Sequence, residues 1–112
     1  MKKNPSSMIT KKENSKKREF KGVSFELLSY GKNSMVTKMN YKQGNNVPFH
    51  NHPNEQAGYI ISGIIRLQFE DFDEILQSGD SYVIPENVEH SLKVIEAGVV
   101  IDVFTPPRED YL

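Results

Sequence analysis

Residues 44–63 read Gly44-Asn45-Asn46-Val47-Pro48-Phe49-His50-Asn51-His52-Pro53-Asn54-Glu55-Gln56-Ala57-Gly58-Tyr59-Ile60-Ile61-Ser62-Gly63. Side chains at i and i+2 of an extended segment point to the same face, so His50 and His52 can converge on one point. Adjacent strand residues face opposite sides, so only one of Glu55 and Gln56 is expected to share that face. A His-x-His pair arises readily by chance, and histidines are often ordinary surface or core residues. The surroundings must decide between a ligand pair and that plainer alternative.

Outward from this stretch, short strand-forming runs alternate with turn signals. Val23–Leu28, Met35–Tyr41, Tyr59–Ile61, Ile64–Phe69, Tyr82–Ile84, His90–Ile95 and Val99–Phe104 are rich in Val, Ile, Phe and Tyr. Gly31-Lys32-Asn33, Gly44-Asn45-Asn46, Ser62-Gly63, Gly79-Asp80, Glu86-Asn87 and Ala97-Gly98 punctuate them. No window sustains an apolar stripe at helical spacing. Closely spaced short strands in one small domain predict an all-β sandwich or barrel.

The 112 residues suffice for one domain. The net charge of −1 conceals an asymmetry. Residues 1–19 hold seven Lys/Arg, two Glu and three apolar side chains, whereas residues 20–112 hold seven basic against thirteen acidic groups. The front segment has too little apolar surface to offset its ordering entropy, so 1–19 is expected as a basic, disordered or loosely attached tail and 20–112 as the folded domain. That tail lacks the interleaved aromatics or amphipathic pattern of a nucleic-acid or membrane arm. There is no cysteine, which excludes disulfides, thiolate-ligated metals and cysteine nucleophiles. With no long apolar run and no h-region behind the basic start, a soluble cytoplasmic protein is expected. Gly-x-Ser-x-Gly, P-loop and dinucleotide-binding frames are also missing.

The third histidine, His90, follows Gly79-Asp80-Ser81-Tyr82-Val83-Ile84-Pro85-Glu86-Asn87-Val88-Glu89. Three neutral imidazoles with one oxygen donor make a plausible divalent metal site. The spacing of both segments resembles the two motifs of the cupin family. In the first, Gly44, His50, His52, Gln56 and Gly63 fall on motif positions, with Gln56 where Glu is usual. In the second, Gly79, Pro85 and His90 do so, with Asn87 in place of Gly and Val94 in place of the final Asn. Asn tolerates the left-handed turn conformation that the Gly position demands. The resemblance implies a double-stranded β-helix, or jelly-roll barrel, and a metal held by His50, His52, His90 and Gln56. Nitrogen and oxygen donors suit Ni, Zn, Mn, Fe or Co alike.

The last strand carries one acid in an apolar run, Val99-Val100-Ile101-Asp102-Val103-Phe104. Val100, Asp102 and Phe104 share a face. Asp102 is either an exposed, water-satisfied carboxylate or lines the barrel interior with a shifted pKa and an acid/base role. Thr105-Pro106-Pro107 takes the chain out of the sheet to Arg108, which is either a surface residue or a fork for a substrate carboxylate. This ending, with His52-Pro53-Asn54-Glu55-Gln56-Ala57-Gly58-Tyr59, is similar to the pectin-degradation cupins. Membership there implies conversion of 4,5-unsaturated monouronates to linear keto sugar acids, with Asp102, Phe104 and Arg108 lining the active site. Two other readings compete: a non-catalytic, metal-dependent module for sugars or small acids, and a metal-dependent dioxygenase. A carbohydrate-acid ligand and a homodimer are expected, with the strand near Val23–Leu28 as a candidate edge between copies. No nucleic-acid or membrane partner is expected.

Overall fold

In a computed structural model, residues 8–112 are described, and expectations for the first seven residues lie outside that range. Among the described residues are ten strands and two 3-10 turns: β1 Lys16–Phe20, β2 Val23–Tyr30, β3 Met35–Tyr41, β4 Asn46–His50, β5 Glu55–Ile60, β6 Ile64–Phe69, β7 Phe72–Gln77, β8 Ser81–Ile84, β9 His90–Glu96 and β10 Gly98–Thr105, with the turns at Lys12–Asn14 and Glu109–Tyr111. No described helix is long and apolar enough to cross a membrane.

The strands form two antiparallel sheets, one ordered β1-β2-β3-β10-β5-β8 and the other β4-β9-β6-β7. The alternation of inward apolar and outward polar residues explains the arrangement, since each sheet has one face to bury. In β3, Met35, Thr37, Met39 and Tyr41 point in, and in β10 Val100, Asp102 and Phe104 do. Phe25, Leu27, Met35, Ile60, Ile65, Val94, Val100 and Phe104 form the core between the sheets. This is the jelly-roll barrel expected from the sequence.

Three details differ from the sequence expectation. Lys16–Glu19, assigned to the tail, belong to β1 and pair with β2 from Lys16↔Leu27 to Phe20↔Val23. The ladder, rather than side-chain composition, orders this segment. The turn before it is tied down as well, because Ser15 Oγ donates to Glu26 Oε1 at 2.8 Å. The same pairing closes β2 on both sides, by β1 and β3, so the strand at Val23–Leu28 offers no free edge to a second copy. Two strands, β4 and β7, were not recognised. β4 is an edge strand, which is where Pro48 can sit without interrupting a ladder. β7 exposes Phe72 and Ile75, so its apolar residues do not alternate toward a core.

Candidate functional site

The site sits inside the barrel, where β4, β5, β9 and β10 meet. β4 and β9 place His50 directly opposite His90, and the loop after β4 brings in His52. Asn87, at φ 64°, takes the left-handed turn conformation that leads toward His90. The three imidazoles stand close, with ring centroids 4.2 Å apart for His50–His90, 5.0 Å for His52–His90 and 5.9 Å for His50–His52. Their ligand atoms lie within 4.8 Å of one another, so the cluster could hold a metal ion.

Each ring is oriented by a backbone carbonyl. His50 Nδ1 lies 2.9 Å from Pro48 O, His52 Nδ1 3.0 Å from Asn54 O, and His90 Nδ1 2.9 Å from Val88 O. A carbonyl only accepts, so each Nδ1 carries the proton and each Nε2 presents a lone pair. Burial lowers all three pKa values below the usual histidine range, His90 to about 4, and the nearby Arg108 charge adds to the effect. The rings are therefore neutral donors.

Gln56 faces inward and Glu55 outward, as alternation requires. Gln56 Oε1 lies 3.1 Å from His52 Nε2. Burial raises the pKa of both Asp102 and Tyr82, and the Gln56 amide lowers both, as a donor beside them does, so its NH2 is assigned to their side and its carbonyl to His52. Neutral His52 thus stands between two acceptors, Asn54 O and Gln56 Oε1, with one proton for both. Two lone pairs facing at 3.1 Å suit a cation drawing on both. On this chemistry, the donor set of three Nε2 atoms and one amide oxygen fits a divalent transition metal.

Asp102 is 1% exposed, and its place inside the barrel excludes the water-satisfied alternative. Tyr82 Oη donates to Asp102 Oδ1 at 2.6 Å. Burial pushes the carboxyl up to about 6, against the opposing hydrogen bonds from Tyr82 and Gln56 and the Arg108 charge. Phe104 is equally buried, its ring edge-on to His52 at 5.6 Å.

Arg108 is 4% exposed, so it is no surface residue. Its guanidinium lies over Tyr111 at 4.1 Å, Phe20 at 4.8 Å and Phe104 at 5.2 Å. Its fork is engaged rather than open. Nε and Nη2 donate to the two Asp110 carboxylate oxygens at 3.1 and 2.7 Å, and Nη1 donates to Tyr111 Oη at 3.0 Å. Burial raises Asp110, but the Arg108 hydrogen bonds and charge outweigh it and hold the carboxyl below its usual range.

Four contributors escaped sequence reading: Tyr82, Gly58, Phe20 and Tyr111. Phe20 covers His50 at 5.5 Å, and Tyr111 packs on Phe25 at 4.3 Å, closing the barrel. The space lined by Gln56, His90, Asp102 and Phe104 is only about 30 Å³, room for an ion or a water but not for a sugar acid. Outside it, a cleft of about 650 Å³ opens between the β2–β3 turn, the loop at Asn51–Asn54 and the chain end. Arg108 lines both spaces.

A profile of the cupin domain family matches residues 37–104, more than half of the chain. The pectin degradation protein KdgF of Dickeya dadantii (strain 3937) is 28% identical over 93 residues, covering 81% of this chain and 84% of that protein. An RmlC-like cupin from Shewanella frigidimarina NCIMB 400 has a similar structure, with TM-score 0.85 and 25% identity over 93% of this chain and 95% of that one. KdgF from Halomonas sp. aligns with TM-score 0.83 at 23% identity, over 93% of this chain and 99% of that one.

Proposed function

The chain belongs to the cupin family, and from that premise we propose that it is a metal-dependent enzyme converting 4,5-unsaturated monouronates to linear keto sugar acids. Similarity to a pectin degradation protein supports the substrate class. The observation that carries the chemistry is the buried carboxyl of Asp102, held at the histidine cluster by Tyr82 and Gln56 with a pKa near 6.

His50, His52, His90 and Gln56 Oε1 would hold the metal. Because all four donors are neutral, a divalent ion there keeps its full +2 charge as a Lewis acid toward an anionic sugar.

The conversion is an isomerisation, so atoms balance without a co-reactant. The bond between C1 and the ring oxygen breaks as the C1 hydroxyl loses its proton and becomes the aldehyde. The ring oxygen remains on C5 as an enolate, which becomes a ketone when C4 gains that proton. One group that removes a proton from the C1 hydroxyl and delivers one to C4 completes the cycle. Asp102 is that group in our reading: burial raises its carboxyl to about 6, toward neutrality, where such a group can both accept and donate. Tyr82 and Gln56 orient it. Arg108 offsets the substrate's carboxylate charge, and Phe104 packs against the sugar face.

Product analysis by NMR tests this reading. A ring-opened keto acid formed without oxygen uptake supports it. Recovery of the bound sugar acid chemically unchanged would favour a binding module, and stoichiometric oxygen consumption would favour a dioxygenase.

A further inference from the structure

The inner void of about 30 Å³ cannot receive the sugar acid assigned above, while the outer cleft of about 650 Å³ can. The partition between them is made by the chain end. Tyr111 is 3% exposed and lies edge-on to Phe104 at 5.5 Å and to Phe20 at 5.7 Å. Its backbone oxygen also accepts from Arg18 Nε of β1 at 3.2 Å. Next to it, Asp110 lines the outer cleft and leaves 56% of its side chain exposed, yet grips the buried Arg108 with both oxygens. This is the two-point geometry that a planar guanidinium offers to any carboxylate.

We propose that Asp110 occupies, on Arg108, the seat of the substrate's carboxylate, so that the ligand enters by displacing Asp110 and lifting Tyr111 from the barrel mouth. The inference rests on the reading of the ligand as a sugar acid and names the contacts that it must replace. Arg108 is already desolvated and stacked between aromatic rings, so a carboxylate arriving from the cleft finds the fork in position. The internal carboxylate keeps that buried cation paired until then, since an unpaired one would be costly. Asp110 is thereby a specificity-determining residue: ligands without a carboxylate have nothing to offer Arg108 in exchange.

The test uses D-galacturonate, a saturated uronate without the 4,5 double bond. It is titrated into metal-loaded wild type, Asp110→Asn and Glu109→Gln, while NMR follows the Arg108 Nε–H and the Tyr111 amide. Asp110→Asn removes the competing charge and keeps the side-chain shape. It should half-saturate at roughly 3–10-fold lower galacturonate than wild type, with both signals moving together. Glu109→Gln removes one charge from an adjacent residue that lines the same cleft but does not pair with Arg108, and should shift the midpoint by less than about twofold. Equal or weaker binding by Asp110→Asn, or the same gain in Glu109→Gln, overturns the proposal, as does an absence of binding in all three. The readout does not need turnover. Protein that binds galacturonate more tightly after Asp110→Asn but leaves an unsaturated uronate intact would refute the reaction and retain this inference.

Discussion

The Tyr82 hydroxyl reaches Asp102 across a strand that lies between them, donating to Oδ1 at 2.6 Å over the gap at Gly58. The register makes this possible: Gly58 of β5 stands opposite Tyr82 of β8 on one side and Asp102 of β10 on the other. A Cβ on Gly58 would run into the Tyr82 ring and hydroxyl and come within 2.6 Å of Asp102 Oδ1. Glycine serves here for close approach, and the three residues act as one device that holds a buried carboxyl in place.

Gly58→Ala should therefore break that hydrogen bond and destabilise the fold by about 1–3 kcal/mol, the usual cost of overpacking a core. Thermal melts would check the stability. A melting temperature equal to wild type would mean that the strands yield and that the gap is not required.

Asp102→Asn should lower kcat by about 10²–10⁴-fold with metal content unchanged, the range expected for loss of a proton-transferring group. The same change should stabilise the metal-free protein. The native carboxyl titrates near 6 against an ordinary 3.8, so native Asp102 binds more protons than the unfolded chain between these values. Its contribution to stability thus falls as pH rises through that window. The variant's gain should be near zero at pH 4 and about 1–3 kcal/mol above pH 6. Denaturant titrations of chelated protein at the two pH values measure it, and a pH-independent difference would contradict the assignment.

Gln56→Ala should weaken metal binding by roughly 10–100-fold, whereas Glu55→Ala should leave it within about twofold of wild type. Gln56 is buried against His52 and Glu55 is exposed. Calorimetric titration with a divalent metal decides, and a larger effect from Glu55→Ala would reverse the ligand assignment.

Metal affinity should hold steady as pH falls to 6.5 and decline only below it. Protons compete for a ligand only once the metal-free site takes them up, and burial sets all three histidines below 6.5, His90 at about 4. A decline that begins above pH 6.5 would show that the site is more solvated than its geometry implies.

Much of this site was legible because it obeys simple periodicities. The alternation of Val100, Asp102 and Phe104 survives in the structure, and His50 and His52 converge as their spacing suggested, although His52 reaches the site from the loop after β4 and not from the strand. The choice between Glu55 and Gln56 was open in the sequence and follows in the fold from strand parity. Tyr82 was not legible as a site residue, because its role arises from three-strand register and leaves no local signal. The Arg108 cage was hidden for a similar reason: Phe20 and Tyr111 come from opposite ends of the chain. β1 escaped notice because partner pairing, rather than its own Lys-rich composition, makes it a strand.

The most direct test of the central claim mixes metal-loaded protein with a 4,5-unsaturated monouronate and follows the ultraviolet absorbance of its conjugated enol ether, with and without a chelator. The account predicts loss of absorbance faster than the spontaneous rate, abolished by chelation and restored by added metal. An unaccelerated decay with metal confirmed at the three histidines would contradict it.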